Sequence, residues 1–131
     1  MYKAEVKEVF GKELTKKELT KKERTMLKDL TDCRVLGAEV ETSGCDIIIH
    51  PESYAVLSIH NDALSEPDYE AYVIVDRDGT KYQTGSDSFI TSLRDIMADM
   101  QDEDPETWAV KVTLKPSKNR TGKSFLKAVL I

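Results

Sequence analysis

The sequence predicts a mainly β fold with one or two helices, on three observations. Segments of alternating or β-branched residues recur between residues 46 and 131. An amphipathic helical pattern interrupts them once, and the turn sequence Arg77-Asp78-Gly79 joins two of them. This order matches a five-stranded barrel of the oligonucleotide/oligosaccharide-binding (OB) type, whose helix lies between strands three and four. The alternative is another small α+β sheet fold with one covering helix.

A chain of 131 residues, 40% hydrophobic and 33% charged, has the length and balance of a single soluble domain. We expect residues 1–32 to form an N-terminal extension with a short helix, and residues 46–131 to form the barrel. The chain has no apolar run of the roughly 20 residues that a membrane span needs. It begins without the apolar core of a signal peptide. These features predict a cytoplasmic protein that does not contact membranes, with Cys33 and Cys45 as free thiols.

The N-terminal helix is predicted from its start signals. KELTKKE occurs twice in overlapping copies, so that Thr15 with Glu18 and Thr20 with Glu23 each match a capping box. Only one of them can begin the helix that ends near Leu30. The lysines of this segment are expected to be a solvated helix surface.

The first predicted strand is long, is interrupted at Pro51, and follows an irregular segment at residues 35–44. Residues 46–50 and 54–60 have strand composition, and Pro51 breaks or bulges the run because proline removes a ladder donor. Residues 69–76 and 80–84 form the next two strands, joined by the Asp78-Gly79 turn.

The second half begins with the amphipathic helix, capped by one of the residues 86–88. An acidic loop at residues 102–106 ends it. Residues 108–114 then alternate as a strand, with Trp108 on the apolar side and therefore in the core. A polar loop at residues 116–123 leads to the last strand, residues 124–131.

The charge is distributed unevenly along the chain. Residues 108–131 hold six basic residues and no acidic residue, although the whole chain has a net charge of −5. Residues 61–107 hold thirteen acidic and three basic residues. A positive hairpin in an acidic protein is typical of a surface that contacts a phosphate backbone. The alternative reading is a solvated hairpin whose charges prevent edge-to-edge pairing.

Nucleic-acid contacts are therefore predicted on this hairpin. Lysine, arginine and amide side chains supply donors to phosphates. The predicted backbone contacts are Lys111, Lys115, Lys118, Asn119, Arg120, Lys123 and Lys127.

Aromatic side chains on strands are the predicted stacking platforms, since stacking contributes roughly 1–3 kcal/mol per base. Tyr69 and Tyr72 point to opposite sides of a regular strand, and Tyr72 is expected to be the exposed one because Glu70 and Asp76 share its side. Tyr82 and Phe125 are further candidates.

Catalysis is not predicted, and neither a cofactor nor a metal is expected. Known nucleophile, phosphate-loop and dinucleotide motifs do not occur in the sequence. His50, His60, Cys33 and Cys45 lack the short paired spacings of a zinc site.

Three stretches of the chain resemble small proteins of phages and conjugative elements from Gram-positive bacteria that are described as single-stranded-DNA-binding. These stretches are ELTKKERTMLKDLTD, YVIVDRDGTKYQTGSDSF and KPSKNRTGKSFLKAVLI, and the resemblance runs from about Glu18 to the C-terminus. It implies an accessory DNA-binding role in the replication or transfer of a mobile element. The residues it implicates are Lys115, Lys118, Arg120, Lys123 and Tyr82. Cellular single-strand binders end in an acidic tail that recruits partners, whereas this chain ends in an apolar strand.

The sequence therefore predicts a sequence-tolerant single-stranded DNA-binding protein, and the same residues would accept RNA. One small domain covers about 4–16 nucleotides, so a homo-oligomer would increase its affinity. The alternative is a phage-type protein-interaction module or inhibitor that uses the acidic surface of residues 61–107.

Overall fold

A computed structural model describes residues 2–11, 20–116 and 124–131. In these ranges eight strands form two sheets, together with three α-helices and a short 3-10 helix at Pro105–Thr107. The strands are β1 (Tyr2–Gly11), β2 (Arg34–Val35), β3 (Ile47–Ile49), β4 (Pro51–Asn61), β5 (Asp68–Asp76), β6 (Lys81–Thr84), β7 (Val110–Pro116) and β8 (Ser124–Leu130). The helices are α1 (Lys21–Lys28), α2 (Leu36–Ser43) and α3 (Asp87–Met100).

The fold is a small, mainly β, α+β fold, so the broad prediction is confirmed. The larger sheet has the strand order β1-β4-β5-β6-β2, and the smaller sheet has the order β3-β7-β8. Every pairing is antiparallel except that of β2 with β6. The described strands do not close into a barrel, so the predicted five-stranded barrel is not confirmed. Residues 46–50 and 54–60 were expected in one sheet, but the break at Pro51 sends β3 and β4 into different sheets.

Strand β1 is a feature that the sequence analysis missed. Residues 2–11 were assigned to an N-terminal extension, yet they pair along their length with β4 as an edge strand of the larger sheet. The alternation of Tyr2, Ala4 and Val6 with charged residues already carried the signal of a strand. A register shift between Val6 and Glu8 then changes the phase of the pattern, as a β-bulge does.

Helix α1 begins at the second of the two predicted capping boxes. The Thr20 hydroxyl accepts from the Glu23 N–H at 3.1 Å, and the Glu23 carboxylate accepts from the Thr20 N–H. The first box, at Thr15, lies outside the described residues. Strand β6 holds the other end of the helix, because Lys81 Nζ donates to the carbonyl oxygens of Met26 and Asp29.

Helix α2 differs from the expectation of an irregular segment at residues 35–44. Leu36 and Val40, one helical turn apart, are both buried. Gly44 ends the helix at φ 69°, and its N–H donates to the carbonyls of Val40 and Glu41. Glycine adopts this left-handed conformation without the strain that a Cβ would cause.

The larger sheet is covered on both faces. Its first face forms the main core with α2, α3 and the smaller sheet, around fully buried side chains such as Val56, Ile74 and Phe89. Its second face carries a smaller apolar cluster that includes Leu57 and Val73 and that packs against residues of α1 and the segment after it. The central strands β4 and β5 are therefore apolar on both sides, which explains their nearly continuous apolar sequence.

The two faces of the smaller sheet differ in exposure, because its outer face carries exposed side chains at Lys115, Phe125 and Lys127 around the buried Thr113. Its inward residues, among them Val110, Val112 and Leu126, join the main core, and Trp108 packs against that core as predicted while staying partly exposed. Helix α3 lies along the outer edge of β8, where the Ala128 N–H donates to Ser92 Oγ at 2.9 Å. Each helix in the described ranges is too short or too polar to cross a membrane.

Candidate nucleic-acid interface

The outer face of the smaller sheet collects four of the predicted site residues. In the β7–β8 pairing, Thr113 lies opposite Lys127 and Lys115 lies opposite Phe125. Side chains of directly opposed residues project to the same side of a sheet. Lys111, two residues before Thr113 on β7, therefore shares this side as well. Lys111, Thr113 and Lys115 therefore face away from the apolar residues of β7, which join the main core.

We call this surface the basic face, and it comprises Ile48, Lys111, Thr113, Lys115, Phe125, Lys127 and Val129. Its lysines form a triangle, because Lys111 and Lys115 are separated by about 13 Å along β7 and Lys127 projects between them from β8. Phe125 is 36% exposed and Ile48 is 56% exposed. The basic face thus presents an aromatic ring and aliphatic surface among positive charges.

The charges of the basic face are largely available to a ligand. Lys111 Nζ is 3.9 Å from Asp46 Oδ2, a loose and partly exposed ion pair. Lys115 and Lys127 are both exposed and have no ion pair within the described ranges. Exposed lysines without partners can neutralise phosphates without first breaking an internal contact.

A groove of about 430 Å³ separates the basic face from helix α3. Phe125 and Lys127 form its strand wall. Its helix wall consists of Asp87, Ser88, Thr91, Ser92 and Asp95. The carboxylates on this wall would repel phosphate, so a polyanion is confined to the lysine side of the groove.

The expectation that Tyr72 is exposed is wrong. Tyr72 is 4% exposed and lies in the main core, and its hydroxyl donates to Asp87 Oδ1 at 2.5 Å. Burial, together with the adjacent Asp87 carboxylate, raises the pKa of Tyr72. Of the two tyrosines, Tyr69 is the exposed one, at 40%. Tyr72 instead reaches the start of α3, where the Asp87 carboxylate accepts a hydrogen bond from its hydroxyl.

Tyr82 is also not on the basic face. It lies on β6 in the other sheet, is partly buried and packs against the main core. Burial raises the pKa of its hydroxyl group. The four loop residues Lys118, Asn119, Arg120 and Lys123 lie outside the described residues. Lys111, Lys115, Lys127 and Phe125 are thus the predicted residues that the structure brings together.

The sequence does not predict the aliphatic members of the basic face, Ile48 and Val129, or the helix wall of the groove. Ile48 stands between Ile47 and Ile49, and three consecutive isoleucines give no indication of which one faces outward. The helix wall could not be predicted, because α3 and β8 are more than twenty residues apart in the chain and meet only through packing.

The other residues considered for chemistry do not assemble. Within the described ranges, no group of three or more histidine, cysteine, aspartate or glutamate side chains is arranged to hold a metal ion. Cys33 and Cys45 are free thiols. His60 instead contacts two carboxylates, with Nδ1 2.6 Å from Asp68 and Nε2 2.5 Å from Asp62.

Comparison with known proteins gives no match. No family model fits the chain, and no curated protein or solved structure is significantly similar to it.

Proposed function

We propose that this protein binds single-stranded DNA in a sequence-tolerant manner through the basic face. Bases would stack on Phe125, while Lys111, Lys115 and Lys127 neutralise neighbouring phosphates. The observation that carries the proposal is the cross-strand pairing of Lys115 with Phe125 on an open sheet face. A cation beside an exposed ring supplies both interactions that sequence-tolerant single-strand binding needs.

The distribution of charge supports this choice of surface. The basic residues of the C-terminal hairpin come from a segment without acidic residues, in a chain of net charge −5. A protein with this balance would not bind polyanions indiscriminately, since most of its surface repels them. We include Lys118, Asn119, Arg120 and Lys123 in the proposed interface because the sequence places them between β7 and β8.

The fold does not need to be an OB barrel for this mode of binding. A sheet face with an exposed aromatic residue and flanking bases is sufficient for stacking and phosphate contact. The resemblance to single-stranded-DNA-binding proteins of mobile elements favours DNA over RNA, and it favours an accessory role in replication or transfer. Self-association would extend the short footprint of one copy.

The test is a salt titration of binding to a fluorescent oligo-dT by fluorescence anisotropy. For single strands, the logarithm of the association constant should fall by about 0.7 per phosphate neutralised for each unit of log salt concentration. Replacing Lys111, Lys115 and Lys127 together by Gln should weaken binding and reduce this slope by about two. A duplex of the same length should bind more weakly, because its bases are not free to stack on Phe125.

The matched control replaces three lysines of α1, Lys21, Lys22 and Lys28, by Gln. It removes the same charge from an element on the other side of the larger sheet. This control should leave the slope close to that of the unaltered protein. An equal loss in both triple variants would refute a localised interface, and no binding at low salt would refute the function.

The alternative function is a protein-interaction module that uses acidic residues of the 61–107 segment. It is favoured by the exposed carboxylates on α3 and just after it, at Asp95, Asp99, Asp102, Glu103, Asp104 and Glu106. A host protein captured equally by the unaltered chain and by the basic-face triple variant, without oligonucleotide binding by either, would support this alternative.

A further inference from the structure

The groove between β8 and α3 has two chemically different walls. On the strand side, Phe125 offers a ring and Lys127 offers a cation. On the helix side, the polar side chains are two carboxylates and three hydroxyls. What the hydroxyls can offer a ligand depends on where their single hydrogens already point.

Each hydroxyl of the helix wall has its hydrogen committed to the protein backbone. Ser88 Oγ donates to the Leu126 carbonyl at 3.0 Å, which ties α3 to β8. Thr91 Oγ1 donates to the Asp87 carbonyl at 2.8 Å. Ser92 Oγ donates to the Phe89 carbonyl at 2.9 Å. These hydroxyls can therefore only accept hydrogen bonds from a ligand.

The carboxylates add acceptors and no donors. Asp87 already accepts from the Tyr72 hydroxyl. Asp95 is exposed and has neither a hydrogen bond nor an ion pair within the described residues, although Lys127 lines the same groove. The side chains of the helix wall thus form a surface of acceptors only, with Asp95 as its most accessible member.

We propose that this groove reads the base stacked on Phe125 and favours bases with an exocyclic amino group over thymine and uracil. This inference rests on the proposed single-strand binding. With the ring of a base on Phe125 and its phosphate held by Lys127 or Lys115, the edge of the base faces α3. Cytosine then offers its N4 amino group to Asp95, a pairing that carboxylates make with this group elsewhere.

Thymine fits the same wall poorly. Its polar edge has two carbonyl oxygens on either side of a single N–H, and acceptor facing acceptor is repulsive. Cytosine and thymine have similar ring sizes, so stacking on Phe125 does not separate them. A preference for cytosine would therefore come from the helix wall.

The experiment compares fluorescent oligo-dC and oligo-dT of about twelve nucleotides, a length within the footprint of a small binding domain. We expect the unaltered chain to bind oligo-dC about fivefold more tightly. In Asp95→Asn the preference should fall close to one, because the amide offers a donor to thymine as well as an acceptor to cytosine. Overall affinity should rise in this variant, since it removes a charge that repels phosphate.

Asp99→Asn is the matched control. It lies on the same helix and removes the same charge, but Asp99 does not line the groove. It should keep the preference for oligo-dC.

The outcomes separate the two proposals. Equal binding of the two oligonucleotides, or tighter binding of oligo-dT, overturns the base preference and leaves single-strand binding intact. A preference for oligo-dC that persists in Asp95→Asn overturns the role of the groove. Binding of neither oligonucleotide at low salt overturns single-strand binding and this inference with it.

Discussion

The interior of the larger sheet and the outer face of the smaller sheet use aromatic and charged residues in different ways. In the larger sheet, Tyr2 and Tyr69 near the strand ends are 52% and 40% exposed, whereas the aromatic and charged residues that contact α3 are held by internal partners. Tyr72 bonds to Asp87, and Arg94 Nη2 pairs with Glu8 at 2.8 Å. On the outer face of the smaller sheet, Phe125 and Lys115 stay exposed beside the buried Thr113. Burial on both faces commits a side chain to the fold, whereas an open face leaves it for a ligand.

The largest difference in stability is expected between two phenylalanine variants, one at a buried position and one on the basic face. Phe89 of α3 is fully buried in the main core, and Phe125 is 36% exposed. Phe89→Ala should lower the free energy of unfolding by about 3–5 kcal/mol, because it removes buried contacts and leaves a cavity. Phe125→Ala should lower it by less than about 1 kcal/mol and should weaken oligonucleotide binding.

Urea unfolding followed by circular dichroism measures the first effect, and fluorescence anisotropy measures the second. The contrast between the sheets breaks if Phe125→Ala unfolds as easily as Phe89→Ala, since Phe125 would then be a core residue. It also breaks if Phe125→Ala binds oligonucleotide as tightly as the unaltered chain does.

A smaller difference in the free energy of unfolding is expected between variants of the buried Tyr72 and the exposed Tyr69, both on β5. Tyr72→Phe removes the hydroxyl that donates to Asp87 and should cost about 1 kcal/mol of stability, a typical net value for one hydrogen bond. Tyr69→Phe, at an exposed position, should change stability by less than about 0.5 kcal/mol. Both variants should bind oligonucleotide as the unaltered chain does. Weaker oligonucleotide binding by Tyr72→Phe would indicate that the Tyr72 hydroxyl contacts the ligand after all.

The smallest effect is expected at His60, at the end of the β4–β5 hairpin in the larger sheet. Hydrogen bonds to Asp68 and then Asp62 raise the pKa of His60 above its usual value of 6.5. Lys3 is its cross-strand neighbour on β1. Because the pKa is higher in the folded state, the stabilisation is complete below pH 6.5 and is lost as the pH rises through the folded-state pKa.

An NMR titration of the His60 ring protons measures this pKa directly. Asp68→Asn should lower it, because the amide is uncharged and favours the imidazolium less than the carboxylate does. Glu66→Gln is the control, since it removes a charge from the same loop without a hydrogen bond to His60. An unchanged pKa in Asp68→Asn would rule out this carboxylate as the cause.

Local sequence signals predicted those elements that depend on neighbouring residues. The Asp78-Gly79 turn is present, with Gly79 at φ 92°, and α3 begins after a Ser86 cap as expected. The register shift at Pro51 confirms the predicted irregularity. In each case the signal comes from backbone conformation or a missing donor within a few residues.

The sequence did not predict features that depend on contacts between residues far apart in the chain. The sequence predicts an exposed Tyr72, but α3 contributes Asp87, which makes a buried position acceptable for the Tyr72 hydroxyl. The barrel was inferred from element order alone, without knowledge that β1 joins the larger sheet. Hydrogen bonding between strands far apart in the chain is not encoded in the periodicity of either strand.

The chain alone specifies that Lys111 and Lys115 share one side of a strand and that its last segment is positively charged. These properties follow from the two-residue period of β structure and from composition. The tertiary packing leaves Lys115 exposed on this side of β7 and places the exposed ring of Phe125 opposite it on β8. It also placed an acceptor wall from α3 beside the ring. The burial of a side chain depends on which surfaces pack against each other. In this protein those contacts are set by the edge strand β1, by the strand break at Pro51 and by helix α3.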